Sequence, residues 1–174
     1  MLYILGDTHF NHPLMAHLRG FPTTEEHDRY IISLWRDTIV SRDEVWHLGD
    51  FSFGGHELVK KYRVQLPGKI HLILGNHDIA NRIQNCPELF TSIEDTHVLK
   101  YNGTKIFLSH YAHRAWPSSH YNTGHLYAHS HGKLPGQGKS FDIGLDATNF
   151  EIWSIDNILE KLALCPDNFN LVKK

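Results

Sequence analysis

Short apolar runs rich in β-branched and aromatic residues alternate along this chain with longer stretches of helical periodicity. Residues 2–5, 45–48, 70–74, 105–108 and 125–127 read as strands. Thr24-Glu25-Glu26 opens a helix that runs through Tyr30, Ile31, Leu34, Trp35 and Ile39. Thr23 or Thr24 serves as its N-cap, and the acidic first turn suits the helix dipole. A second helix is expected over residues 55–66, stopped by Pro67-Gly68. A last one begins after Asp156 and carries Ile158, Leu159, Leu162 and Ala163. Tyr101-Asn102-Gly103-Thr104 reads as a two-residue hairpin joining 98–100 to 105–108. No repeat, low-complexity tract or Pro/Ser-rich linker divides the chain. Residues 1–168 therefore read as one mixed α/β domain, and 169–174 as a loosely held C-terminal tail.

Composition narrows the function classes. The 174 residues are 41% hydrophobic and 21% charged, with a net charge of −2, so the chain is not a polybasic nucleic-acid binder. No apolar run is long enough to span a membrane. The start, Met1-Leu2-Tyr3-Ile4-Leu5-Gly6-Asp7, lacks the basic region of a signal peptide, so a cytoplasmic enzyme is expected. Cys86 and Cys165 belong to no CxxC pair and read as inert thiols. The exceptional number is 15 His, spread from His9 to His131 with no two adjacent. Imidazole is the commonest metal ligand and the usual acid or base near neutral pH, so a dispersed excess points to chemistry inside the fold.

The strand ends locate that chemistry. Five strands each finish in a small residue followed by a ligand-type side chain: Gly6-Asp7-Thr8-His9, Gly49-Asp50, Gly75-Asn76-His77-Asp78, Ser109-His110 and Ala128-His129-Ser130-His131. Sites in α/β proteins form where loops converge at the carboxyl ends of strands. In an extended segment, alternate residues such as Asp7 and His9, or His129 and His131, point the same way. Seven nitrogen and oxygen ligands, Asp7, His9, Asp50, Asn76, His110, His129 and His131, exceed one tetrahedral site and suit two cations.

These five motifs, in this order over residues 7–131, resemble those of the calcineurin-like metallophosphoesterases. The resemblance implies a four-layer α/β/β/α sandwich of two mixed sheets. It implies one metal held by Asp7, His9, Asp50 and His131 and a second by Asp50, Asn76, His110 and His129, with Asp50 bridging. His77 would contact the phosphate or the leaving-group oxygen, and Asp78 would orient it. The implied reaction is P–O hydrolysis by metal-activated hydroxide, with no phosphoenzyme. Mn²⁺ is the first expectation, with Fe, Zn or Ni as alternatives. Ala128 departs from the pattern, which has Gly there; a methyl group is tolerable in β conformation.

The segment from His110 to Pro117 resembles a bacterial and phage subgroup of small members with an Arg and Trp soon after the fourth motif. Arg114 would clamp a phosphate oxygen, and Trp116, Tyr121 and Tyr127 would form an aromatic wall. The expected partner is a small phosphorylated substrate such as a nucleotide or phosphodiester. Long duplex nucleic acid does not fit the charge. Two alternatives remain: a phosphodiesterase for nucleotides or RNA ends with a 2′,3′-cyclic phosphate, and a non-catalytic binding scaffold, which usually lacks some of these ligands. His12 is a candidate cleft residue. His17, His27, His56, His71, His97 and His120 read as surface or framework residues, with His47 inside a strand. Trp35, Trp46 and Trp153 read as packing residues, and Lys60-Lys61-Tyr62-Arg63 as a solvated helix face.

Overall fold

The alternation in the apolar runs places their residues on two faces of two sheets, described in this computed structural model over residues 1–172. One sheet has the order β4-β3-β2-β1-β9, formed by β1 (Leu2–Leu5), β2 (Glu44–His47), β3 (Lys69–Ile73), β4 (Ser92–Glu94) and β9 (Trp153–Ser154). Its first four strands are parallel, and β9 closes the edge antiparallel to β1. The other sheet has the order β5-β6-β7-β8, from β5 (Thr96–Tyr101), β6 (Thr104–Ser109), β7 (Gly124–Tyr127) and β8 (Ser140–Asp142). The expected hairpin joins β5 to β6: Asn102 and Gly103 both have positive φ, as a two-residue turn between twisted strands requires.

The sheets pack face to face. Ile4 and Trp46 from the first meet Ile106, Leu108, Leu126 and Phe141 from the second in one buried cluster, which α5 (Ile155–Leu164) completes through Ile155, Ile158 and Leu162. The opposite face of the first sheet supplies Leu5, Val45, Ile70 and Leu72 to a second cluster under α2 (Thr24–Thr38) and α3 (His56–Arg63). Trp35 is fully buried there and donates its indole N–H to Pro67 O at 2.9 Å. Thr23 caps α2 by accepting from Glu26 N, as its position ahead of the acidic turn predicts. Two short helices, α1 (Pro13–Leu18) and α4 (Asn76–Ala80), have too few turns to leave a periodic signal.

The outer face of the second sheet carries Phe107, His125 and Tyr127 under the 111–123 segment, with Trp116 and His113 packed on His125. Asn170 Nδ2 donates to Ser119 Oγ and Val172 N to His120 O, which fastens this much of the expected tail; Lys173 and Lys174 lie outside the described residues. No helix among the described residues is long and apolar enough to cross a membrane.

His125 is the clearest framework histidine. Ser109 gives its hydroxyl hydrogen to Tyr111 O and so accepts from His125 Nε2 at 2.9 Å, while His125 Nδ1 accepts from Ser140 Oγ at 2.9 Å. That chain is complete only with a neutral ring, and burial pushes its pKa down to about 3. A depressed folded-state pKa gives stability that is present above the unfolded value and lost as pH falls toward the folded one. Between pH 7 and pH 5, wild type should lose about 2 kcal/mol more unfolding free energy than His125→Gln, measured by urea titration. Parallel pH profiles for the two proteins would exclude a buried neutral His125.

Candidate metal centre

The ligand-type residues leave their strands through turns in left-handed backbone. Asp7, His9, Asp50, His129 and His131 all have φ between +49° and +64°. Each such residue costs on the order of 1 kcal/mol, so the turns must be fixed by their surroundings. Alternation in extended chain therefore does not align Asp7 with His9; a left-handed residue at each position does. The hydrogen bonds that hold these turns run from Asp7 N to Gly49 O, from His9 N to Asp50 O, and from His129 N to the Asp7 side-chain carboxylate. The ends of β1, β2 and β7 are thus tied to one another rather than merely adjacent.

Two groups of ligand atoms result, Asp7–His9–His131 and Asp50–His110–His129, each with its atoms within 4.8 Å of one another. Asp50 lies between them: its Oδ2 is 3.7 Å from His9 Nε2 and 3.5 Å from His110 Nε2. Its Oδ1 accepts from His77 N at 2.9 Å. His110 Nδ1 donates to Leu48 O at 2.7 Å, which leaves Nε2 toward Asp50 and toward Asn76 Oδ1 at 3.2 Å. Gly75 is required here, because a Cβ would collide with Asp50 Oδ1 and approach His110 Cε1 to 2.9 Å. Ala128 is accommodated by Gly6, where an added Cβ would lie 2.7 Å from the Ala128 methyl.

The electrostatics fit a cation. Burial and the neighbouring Asp50 and Asp142 carboxylates push the Asp7 pKa well up, while burial and the nearby Arg19 hold His9 well below its usual value. Burial also lowers His110. His9 Nε2 is buried without a hydrogen-bond partner. Carboxylates facing imidazole nitrogens, one of them buried without a hydrogen-bond partner, form a donor set for divalent metal.

Around this centre the structure brings together some expected residues and not others. His77 stands beside it on α4, half-buried, with its ring centroid 5.3 Å from that of His9. Asp78 does not orient His77: Oδ2 accepts from Asp50 N and Gly75 N, and Oδ1 from Phe51 N. Those bonds lower its pKa, yet burial outweighs them and raises it to about 7. Its task is to pin the Asp50 turn against the end of β3. Arg114 is exposed and lies 5.9 Å over the Phe169 ring, in a recess with Ala112, His113 and Tyr127; among the described residues no hydrogen bond or ion pair joins it to the ligand groups. Trp116 and Tyr127 are buried, bonded to Thr123 O and Leu134 O, while exposed Tyr121 lies against His120. Trp116 and Tyr127 of the expected aromatic wall are therefore framework.

Two residues escaped the sequence reading. Asp146 accepts from His131 Nδ1 at 2.6 Å and from Arg19 Nε and Nη2 at 2.9 and 2.6 Å. Burial works to raise its pKa, but these partners hold it well below the carboxylate range. Arg19, with its side chain 2% exposed, also donates to Asp7 O and Thr8 O, clamping the first turn from beneath. The signal for Asp146 was weaker than the others: β8 ends in Asp142, and Leu145 stands between the small residue Gly144 and the carboxylate of Asp146. Arg19 had none, because its partner is 127 positions away.

A two-sheet α/β fold with a centre of imidazoles and carboxylates at its strand ends defines a class of metal-site proteins. Residues 1–134 match the calcineurin-like phosphoesterase superfamily domain, and the chain belongs to that superfamily. It is 28% identical to an uncharacterized protein of the archaeon Methanocaldococcus jannaschii, over 91% of this chain and 89% of that one. Among solved structures, a protein of unknown function from Aquifex aeolicus superposes with a TM-score of 0.70 at 22% identity, covering 93% of this chain and 98% of that one. An archaeal phosphodiesterase superposes with a TM-score of 0.50 at 20% identity, covering 82% and 81%. At these identities the structural matches speak for the fold.

Replacing the two carboxylates that stand behind the ligands should have separable effects. Asp78→Ala leaves three buried N–H groups without their acceptor and should cost roughly 3 kcal/mol or more of folding stability by urea titration. Asp146→Ala frees His131 and should weaken metal affinity by about 10–100-fold in calorimetric titration. Unchanged metal affinity in Asp146→Ala would show that His131 needs no orienting partner.

Proposed function

We propose that this chain is a divalent-metal-dependent phosphoesterase that hydrolyses P–O bonds at a two-cation centre. Asp7, His9, Asp50 and His131 would hold one cation, and Asp50, Asn76, His110 and His129 the other. The observation that carries this reading is the Asp50 carboxylate, with one oxygen within 3.7 Å of His9 Nε2 and 3.5 Å of His110 Nε2. When bound, the cations supply Lewis-acid polarisation of phosphoryl oxygens and activation of water. Mn²⁺ is the first choice, with Fe, Zn or Ni as alternatives.

The chain's own groups do the remaining work. The left-handed turns fix the donors before substrate arrives, so little reorganisation opposes binding. His77 Nδ1 or Nε2 holds a proton for the departing oxygen, and its backbone N–H holds Asp50 Oδ1 in place. The substrate is a small phosphodiester or phosphomonoester, with a nucleotide or a 2′,3′-cyclic phosphate end as the narrower alternative. The net charge of −2 gives no support to long duplex nucleic acid. A purely binding scaffold is disfavoured because the full ligand-type set and His77 are retained.

Metal-loaded, desalted protein should carry about two cations per chain and hydrolyse members of a monoester, diester and cyclic-nucleotide panel with Mn²⁺. One cation, or no turnover on the panel with any of the metals, would overturn the proposal. Asp50→Ala should do more damage than His9→Ala, because only Asp50 spans both groups. His77→Ala should keep its metals but lose roughly 10²–10⁴-fold in kcat on alkyl esters, and far less on bis(p-nitrophenyl) phosphate. A constant ratio of wild type to variant across leaving groups would exclude proton donation by His77.

A further inference from the structure

His9 belongs to two clusters. Besides Asp7 and His131, its ring lies with His12 and His77 in a third group of ligand atoms within 4.8 Å of one another. One buried, unpartnered nitrogen can serve one cation. If His9 is committed to Asp7 and His131, His12 and His77 remain as two imidazoles without a carboxylate between them, too few donors for a metal of their own. Their ring centroids stand 5.0 Å apart beside the centre.

His12 is anchored from behind. As the N-cap of α1, its Nδ1 accepts a long 3.4 Å hydrogen bond from Met15 N, which places the proton of the neutral ring on Nε2, the free nitrogen. Next to it lies Phe53, with centroids 4.7 Å from His12 and 5.9 Å from His77. The Phe53 backbone is held on both sides: its N–H donates to Phe10 O at 2.7 Å, and its C=O accepts from Asn11 Nδ2 at 2.9 Å. Yet the residue is 41% exposed. A fixed backbone that presents an open aromatic face beside two imidazoles is a preorganised surface for a flat ligand group, at little ordering cost.

We infer that His12 and Phe53 form the leaving-group side of the site, His12 donating to an oxygen of the phosphoryl group and Phe53 stacking on a planar ring carried by the departing alcohol. The favoured substrates are then esters of ring-bearing alcohols, aryl or nucleoside, over simple alkyl esters. This rests on the phosphoester reading of the same centre and deepens it. It also moves the aromatic contact from Trp116 and Tyr127, which are buried, to the loop after β2.

The test is equilibrium binding of uncleavable ligands to Mn-loaded protein: methylphosphonate, benzylphosphonate and a nucleoside 5′-phosphonate. Wild type should bind at least one ring-bearing ligand on the order of tenfold more tightly than methylphosphonate. Phe53→Ala should abolish that preference and leave methylphosphonate unchanged, while Phe53→Trp retains it. His12→Asn keeps the helix cap, since Asn is a strong N-cap residue, but removes the Nε2 donor. It should weaken all three ligands by about fivefold or more, with metal content unchanged. A preference for benzyl alone would identify an aryl ester, and one for the nucleoside a nucleotide. Absence of ring preference in wild type, or its persistence in Phe53→Ala, overturns the subsite. Loss of a cation from His12→Asn would make His12 a ligand and overturn its assignment. Hydrolysis without ring preference removes only the subsite; ring preference without hydrolysis removes the phosphoesterase reading instead.

Discussion

Asp7, His9, Asp50, His129 and His131 hold left-handed backbone at the carboxyl ends of β1, β2 and β7, and the rest of the molecule is arranged to keep them there. Left alone, each such residue would relax to the β or right-handed region. Here the turns are cross-tied by backbone groups and one side chain, with Asp7 N on Gly49 O, His9 N on Asp50 O and His129 N on the Asp7 carboxylate. Because Asp7 belongs to one sheet and His129 to the other, the last of these bonds also joins the two halves of the sandwich. The two ligand groups are consequently a property of the packed pair of sheets.

Two carboxylates, the buried Asp78 and the half-buried Asp146, divide the supporting work. Asp78 spends both oxygens on the N–H groups of Asp50, Phe51 and Gly75, and so fixes the positions of β2 and β3 relative to each other at the site. Asp146 links His131 to Arg19, whose guanidinium in turn holds the carbonyls of Asp7 and Thr8. A charge-assisted, two-pronged pair of this kind is directional, so it sets the orientation of the imidazole as well as its location. The Asp7 and Asp50 carboxylates thus lie within the centre, near enough for one charge to act on the other, while Arg19 sits behind the first turn. The repulsion among the inner carboxylates is left for a cation to relieve.

The histidines divide by partner. His9, His110, His129 and His131 offer nitrogens toward carboxylates at the strand ends, whereas His125 is a neutral link between Ser109 and Ser140. His71 and His97 sandwich Trp46 with centroids 4.5 and 4.0 Å away and pair with Glu44 and Glu94. An excess of one residue type therefore served two purposes, and composition alone could not apportion it.

What was legible in the sequence was whatever depends on near neighbours. Apolar alternation placed the main strands, the acidic turn after Thr23 placed α2, and Asn102-Gly103 placed the hairpin, because these signals act over a few residues. The small residue before each ligand gave the ends of the strands, and the ordered motifs gave the family. Side-chain partners were not legible. Asp78 follows His77 directly, yet binds the Asp50 turn; Arg114 follows the fourth motif, yet lies over Phe169; Arg19 finds Asp146 across the whole fold. A hydrogen bond is decided by distance and direction within a few tenths of an ångström, and only the packing of the two sheets sets those. The sequence determined which groups reach the strand ends, while the tertiary structure decided which of them face the centre and which hold the others in place.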